Sequence, residues 1–506
     1  MFFLSSLSKR NSRVSGLWTR FCGMIPPLSI PFLSPNSHPS RPVSENEVLH
    51  ERVKSATTPS GLRCISRELF EPLSSVSIVF STRHLQALGY RNNESRRYFN
   101  VLQNLLFDPE KEDVKSLQNM GVRLVERVER EFFTINAVLM REDVPSFFKR
   151  MGKLLRPRRI LPEELEFTKK MVLWEGSSMF EDPTSLLPQI SMSCAYGSQD
   201  LKDSLVPFPR VDDEYLADMD TKKVEKFFRN IMQPSHIAVS SLSTGPISTL
   251  EDLVERHLIP SLKEWDPPVI RTENRMGAVY QPTVWKHEHL DRSLRQGEHI
   301  PPLSHMLIGF PSVGISHEEK YVPFVVRFLL GGGSSFSIGG PGRGMHSRLY
   351  QNLLCVHPWI ESAFGMVEAG AEEGLIGVMG SAPHEYAPQL TVELLQEWLR
   401  LTFDRVSDEE LERAKNQLQV QTMQTMEDRA NLCDEMGREI LVLHEEFSPE
   451  SMRHSIEQVT AEQVQQCMRN ASLSDPIIGC YGSVNHIADD TPAKLGEVIR
   501  HSLQLG

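Results

Sequence analysis

The sequence predicts an α+β fold built twice, as two homologous domains of about 200 residues in which sheet strands and helices mix, joined by a linker. Three observations predict it. Alternating apolar runs open and close each half, helical apolar patterns fill the space between them, and segments of the first half recur in the second about 240 residues later.

The chain begins with a region of different composition. Residues 1–44 hold Lys9, Arg10, Arg13, Arg20 and Arg41, many serines and no acidic residue. Apolar residues there are broken up by basic and hydroxyl ones, which is the pattern of a mitochondrial transit peptide rather than of a secretory signal. Its removal takes away five of 54 basic residues and none of 66 acidic ones, moving the formal charge from −12 to −17. A chain that acidic repels nucleic acid and attracts basic ligands.

The first domain, residues 45–263, opens on an alternating strand at residues 76–80 and continues into a helix at 95–107. Tyr98, Val101, Leu102, Leu105 and Leu106 form the buried stripe of that helix. An acidic-start helix follows, in which Glu163, Glu164, Leu165, Glu166 and Lys169 match Glu409, Glu410, Leu411, Glu412 and Lys415 at an offset of 246. The same offset carries Glu181-Asp182 onto Glu427-Asp428 and Leu186 onto Leu432. A helix at 224–230, matching 464–470, and a strand at 236–240 close the domain. Residues 264–300 are rich in Pro, Arg, Glu and His and read as the linker. The second domain, 301–506, opens on a strand at 304–310 and ends with a helix at 461–470 and a strand at 476–481.

The seven cysteines show no Cys-x-x-Cys spacing, so neither a disulfide framework nor a thiolate zinc site is indicated. No apolar run reaches the ~18 residues of a membrane span. His287-Glu288-His289 could resemble a metal pair, but without a third ligand it reads as solvated linker. Acidic patches occur at Asp212, Asp213 and Glu214, at Glu368 with Glu372 and Glu373, and at Asp408, Glu409 and Glu410. Sequence does not choose among them.

The strongest local signal is Gly331, Gly332, Gly333, Ser334, Ser335, Phe336, Ser337, Ile338, Gly339, Gly340, Pro341, Gly342, Arg343 and Gly344. Seven glycines in fourteen residues cannot hold a regular element. Helical apolar patterns flank the run, with Tyr321, Phe324, Val325, Phe328 and Leu329 before it and Met345, Leu349 and Leu353 after it. A phosphate loop would need a preceding strand and Gly-Lys-Ser/Thr, both missing. A plain spacer would not need Phe336 and Ile338. The remaining reading is a flap whose bare backbone can lie along an extended peptide.

This glycine run, with Ser347-Arg348-Leu349-Tyr350 after it, resembles the glycine-rich loop of the alpha-subunit branch of the mitochondrial processing peptidases, within the pitrilysin-type zinc metallopeptidase family. Weaker similarity covers residues 410–415, Glu427-Asp428-Arg429 and Gly437-Arg438-Glu439. The resemblance implies a clamshell of two domains, each with a mostly antiparallel sheet flanked by helices. It also implies a heterodimer with a processing-peptidase beta subunit, and a loop that helps bind basic presequence peptides in the mitochondrial matrix.

Active relatives carry His-x-x-Glu-His on a helix, where two histidines hold zinc, the Glu polarises a water and a distal Glu completes the site. None of the 17 histidines here has a partner four residues away. The register of that motif is held by Asn100, Gln103 and Asn104, with Glu175 at the distal position. Amides are poor zinc ligands and Gln103 cannot act as a general base. The expectation is a chain with no catalytic residue, no metal and no cofactor of its own, with zinc on the beta subunit. Two other readings stand beside it: a structural core subunit of the respiratory cytochrome bc complex, alone or as a second role of the same chain with inner-membrane association, and an independently active peptidase with an unrecognised metal site.

Overall fold

The structure is a computed structural model, and it describes residues 53–505 except 70, 89, 91, 130, 197–213, 269–278, 290–301, 333–344 and 445–448. The expected transit peptide therefore lies outside the described residues. The two sheets described below lie within a single compact unit, Arg52–Gly506.

The first sheet contains β1 (Val53–Thr57), β2 (Arg63–Arg67), β3 (Leu73–Ser81), β4 (Arg123–Val128), β5 (Phe132–Met140) and β6 (Ile237–Leu242), in the order β1-β2-β6-β3-β5-β4. The second contains β7 (Val284–Glu288), β8 (Leu303–Val313), β9 (Ser362–Ala369), β10 (Glu373–Pro383) and β11 (Ile477–Gly482), in the order β7-β11-β8-β10-β9. Apart from β1 the two orders are the same. Each has its parallel pair at the same place, β2 on β6 and β7 on β11, and the remaining pairs are antiparallel. The recurrence seen in the sequence is thus a recurrence of topology.

Two helices lock the halves together by exchange. Helix α1 (Pro183–Ala195) comes from the first half and buries Leu186, Leu187 and Ile190 against Leu307, Leu375 and Ile477 of the second sheet. Helix α2 (Arg429–Val442) comes from the second half and buries Cys433, Met436 and Ile440 with Ile65, Val79 and Ala238 of the first sheet. The repeated aspartates start these two helices. Asp182 accepts from the Thr184 and Ser185 amides at 3.1 and 3.3 Å, and Asp428 from those of Ala430 and Asn431 at 2.8 and 3.2 Å. At its far end α2 is held by Arg63, whose guanidinium donates to the carbonyls of Ile440 and Leu441.

The linker reading needs a correction at His287, while His289 is exposed as expected. Val284–Glu288 is an edge strand, and His287 is stacked on Tyr481 at 5.1 Å between ring centroids, so it is a packed residue rather than a solvated one. The alternation Trp285/His287 was the available signal, but two residues of an edge strand give too short a pattern to read. On the other side of Tyr481 lies His305, on β8.

Burial holds His305 and His236 well below the ordinary histidine value, to about 4 in each case. His236 also lies near Arg63 and stacks on His84 at 4.0 Å. Folded, these imidazoles bind fewer protons than the unfolded chain does between pH 6.5 and about 4. Their contribution is complete above pH 6.5 and lost as the pH falls towards 4, at up to about 3 kcal/mol each. The expected result is a urea midpoint that drops across this window, with His236→Gln flattening the drop. A midpoint flat from pH 7 to pH 4.5 would contradict it.

Candidate functional site

Between the halves lies a cavity of about 870 Å³. The two exchanged helices form its walls through corresponding residues. Gln189, Met192 and Ser193 of α1 and Glu435, Arg438 and Glu439 of α2 all line it, and each pair is related by the repeat offset of 246. Positions i, i+3 and i+4 share one helix face, so one stripe of each helix packs and the neighbouring one looks into the cavity. Strand β4 adds Arg127, the β4–β5 turn adds Glu129 and Glu131, and β9 adds Glu368 and Ala369.

The charge of the lining is lopsided. Glu129, Glu131, Glu175, Glu368, Glu435 and Glu439 are set against Arg127 and Arg438. Both guanidiniums are already engaged. Arg438 donates to Glu129 at 2.6 and 2.7 Å and to Asp434 at 2.7 Å, while Arg127 donates to Asn431 at 3.2 Å. Burial pulls the Arg438 group down, but the Glu129 and Asp434 carboxylates push it above its ordinary value, so it stays charged. Glu131 accepts from the Ala371 amide at 2.9 Å and joins the two hairpins. Glu435 has no hydrogen bond or ion pair within 4 Å among the described residues, and burial raises its pKa against the opposing pull of Arg438. It is the unpaired carboxyl of the site.

Opposite lies the helix of the register tested for zinc. It spans Asn92–Leu106, and Tyr98, Val101, Leu102, Leu105 and Leu106 are buried as its stripe required. Asn100 and Gln103 line the cavity. Asn104 donates to Glu175 at 3.2 Å and to the Asn100 carbonyl at 3.1 Å, so the four positions singled out in the sequence come together in space. Glu175 arrives on the helix Pro162–Met179, which packs along the first. Nothing in this group can take a proton from water except a carboxylate whose near partner is an amide. Among the described residues no group of three or more His, Cys, Asp or Glu side chains is arranged to hold a metal ion, and no helix is long and apolar enough to cross a membrane.

Of the glycine run, Gly333–Gly344 lie outside the described residues. Gly331 ends the helix Tyr321–Leu330 at φ +150°, a conformation for which glycine is the natural residue. Its carbonyl accepts from the Gly365 amide at 2.9 Å, which ties the start of the run to β9, the strand that carries Glu368. After the run the expected helix is reduced to a short segment ending in the wide turn Tyr350–Leu354.

The acidic patches separate. Glu368 lines the cavity, Glu372 pairs with Arg83 at 2.9 Å, and Glu410 holds Arg348 at 2.7 and 3.1 Å outside the cavity. Asp212 and Asp213 lie outside the described residues. Glu129, Glu131 and Glu435 were missed by sequence reasoning. The repeat could have pointed to Glu435, since the cavity stripe begins seven residues after each capping aspartate.

Comparison with known proteins agrees with this geometry. Residues 218–418 match the model described as the peptidase M16 inactive domain. The chain is 23% identical over 391 residues to the probable mitochondrial-processing peptidase subunit alpha of Schizosaccharomyces pombe, covering 74% of each chain. It is 27% identical over 339 residues to the human mitochondrial-processing peptidase subunit alpha, covering 66% of this chain and 63% of that one, a little under two thirds of the relative's length. In fold it is similar to a chain of complex III2 from Candida albicans, solved with Inz-5 bound, with a TM-score of 0.68 at 15% identity over 88% of this chain and 99% of the other. Over residues 218–418 the chain is similar to the peptidase M16 family, and over most of its length to the alpha subunits of the mitochondrial-processing peptidases.

Proposed function

We propose that this chain is the non-catalytic, substrate-recognition subunit of a heterodimeric mitochondrial processing peptidase. It binds the basic presequences of imported precursors in the matrix, and a beta subunit supplies the zinc and the general base. The observation that carries the reading is the cavity itself: six carboxylates, two guanidiniums that are already paired, and amides where a peptidase would need imidazoles. A cleft lined with one sign of charge and walled by low-dielectric protein concentrates ligands of the opposite sign. The glycine run, anchored to the strand bearing Glu368, is placed in this reading as a flap over the ligand, and residues 1–44 as the chain's own transit peptide.

The likeness in fold to a complex III2 chain favours a second reading, a structural subunit of that complex, alone or in addition. Copurification with haem-bearing membranes would support it.

The test is precursor cleavage by the purified chain alone and with candidate beta subunits. The chain alone should be inactive and the mixture active. In the active mixture Glu435→Gln should raise KM about tenfold with kcat little changed, since Coulomb attraction in a half-enclosed site is worth about 1–2 kcal/mol. Cleavage by the lone chain, or stoichiometric zinc bound to it, would overturn the assignment.

A further inference from the structure

Outside the cavity, two cations share the same two acceptors. The first acceptor is the carbonyl of Leu105, at the end of the helix Asn92–Leu106. Both the Lys111 amine and the Arg158 guanidinium donate to it, the guanidinium at 3.2 Å. The second is the carboxylate of Glu164, in the first turn of the helix Pro162–Met179. Arg158 takes it with both terminal nitrogens, at 2.5 and 2.8 Å, and Lys111 is left 3.9 Å away. A planar guanidinium meets a carboxylate at two points and an ammonium meets it at one, so the arginine holds the pair.

Two consequences follow for the Lys111 amine. The first is that its charge is poorly supported. The side chain is only 23% exposed, and burial together with the Arg158 charge outweighs the pull of Glu164 and Asp108, bringing the pKa down to about 8. The second is that the fold does not depend on that charge. When the ammonium is lost, the Leu105 carbonyl and the Glu164 carboxylate both keep Arg158, so no acceptor is stranded. Lys415 is the opposite case. It is buried, and its amine serves the carbonyls of Glu457 and Val459 and the carboxylate of Glu412.

We propose that Lys111 is an acylation site, at which the ε-amine takes an acyl group from an acyl thioester. The nitrogen lone pair attacks the thioester carbonyl, a C–N bond forms as the C–S bond breaks, and the proton lost by nitrogen leaves with the thiol. Only the neutral amine has the lone pair to do this. The amide that forms is uncharged and keeps one N–H for the Leu105 carbonyl, while Arg158 continues to hold Glu164. The inference is independent of the reading of the cavity, and each stands or falls without the other.

The experiment incubates the full chain with acetyl-coenzyme A at pH values from 6.5 to 10.5 and reads initial acetylation at each lysine by mass spectrometry of proteolytic fragments. At pH 7.5 Lys111 should react about tenfold faster than Lys222 and Lys226, which are exposed, because a lysine of ordinary pKa holds only about one free amine in a thousand at that pH. Its rate should reach half of its plateau near pH 8, while theirs still climbs at pH 10. Lys415 should stay unmodified. Two variants separate the shared-acceptor cluster from simple accessibility. Arg158→Gln hands Glu164 to Lys111, so the half-plateau should move to higher pH and the rate at pH 7.5 should fall. Glu164→Gln removes the carboxylate and leaves two cations together, so the half-plateau should move to lower pH. Both variants are checked for folding by circular dichroism, and the profile of the wild-type chain decides the matter if either fails to fold. The proposal is overturned if Lys111 reacts no faster than Lys222 and Lys226 at pH 7.5, or if its profile climbs through pH 10 as theirs does. It is overturned equally if Lys415 reacts as fast as Lys111, which would place the reaction in the unfolded chain.

Discussion

Replacing Arg438 by methionine should lower the stability of the folded chain by about 3–5 kcal/mol at neutral pH. The arginine bridges the halves, with Glu129 of the β4–β5 turn on one side and Asp434 of its own helix on the other. These partners are not equal. The Glu129 side chain is 42% exposed and that of Asp434 only 5%. The exposed pair is screened by solvent and is worth less than about 1 kcal/mol. The cost therefore lies with Asp434, which would keep Arg127 at 3.8 Å and Ser77 at 3.5 Å as its remaining polar neighbours. Methionine fills the volume but leaves that buried charge without its near cation and hydrogen-bond donor.

The pH dependence separates this account from simple loss of packing. Burial already raises the Asp434 pKa above the ordinary carboxylate value, against the pull of Arg438, and removing the arginine raises it further. A folded pKa above the unfolded one means that protonation favours the folded state. The penalty in Arg438→Met should therefore be full above that raised value and shrink as the pH falls through it. Urea unfolding of both chains at pH 7 and pH 5 reads this directly. A penalty of the same size at both pH values would place the damage in packing instead.

What the sequence made legible follows from how local each signal is. The strands at 76–80 and 304–310 alternate over five to seven residues and were found, although the structure extends them to Leu73–Ser81 and Leu303–Val313. The amphipathic stripe of Asn92–Leu106 was found with its buried face, and its other face leads to the cavity. The Glu-Asp repeat was found as a repeat, but its physical meaning was not: each aspartate caps a helix that leaves its own half to pack on the other sheet. That exchange is a long-range event which no local period records. The cavity was hidden for the same reason. Glu129 and Arg438 are 309 residues apart, and a carboxylate on a hairpin turn looks like any solvated turn residue until its partner is in place. Asn100 and Gln103 were noticed for what they could not do as metal ligands or bases, whereas their place on the wall of a cavity is visible only in three dimensions.

Gly437→Leu should be the most damaging single change in α2, costing about 3 kcal/mol or more. The helix crosses the first sheet here at a distance that leaves no room for a side chain. A Cβ at Gly437 would lie 2.7 Å from Val79 Cγ2 and 3.1 Å from Ser240 Oγ, on β3 and β6. The helix would have to lift, and Glu435, Arg438 and Glu439 would move with it, so peptide binding should fall together with stability. The other crossing supplies the control. There the small residues are exchanged: Gly479 is on the strand, and Ser191, the position corresponding to Gly437 at the offset of 246, is on the helix. A Cβ at Gly479 would meet Ser191 Oγ at 2.9 Å, a hydroxyl that has no hydrogen-bond partner. Gly479→Ala should cost about 1–2 kcal/mol, and adding Ser191→Ala should recover the larger part of it, because removing the hydroxyl strands nothing and leaves only the flexible end of Leu187, 3.1 Å from the new Cβ, to give way. Gly437→Ser with Ser240→Ala cannot be rescued so fully, since Val79 remains in the way. Equal rescue at the two crossings, or none at either, would mean that close approach of helix to sheet is not what holds the exchanged helices in place.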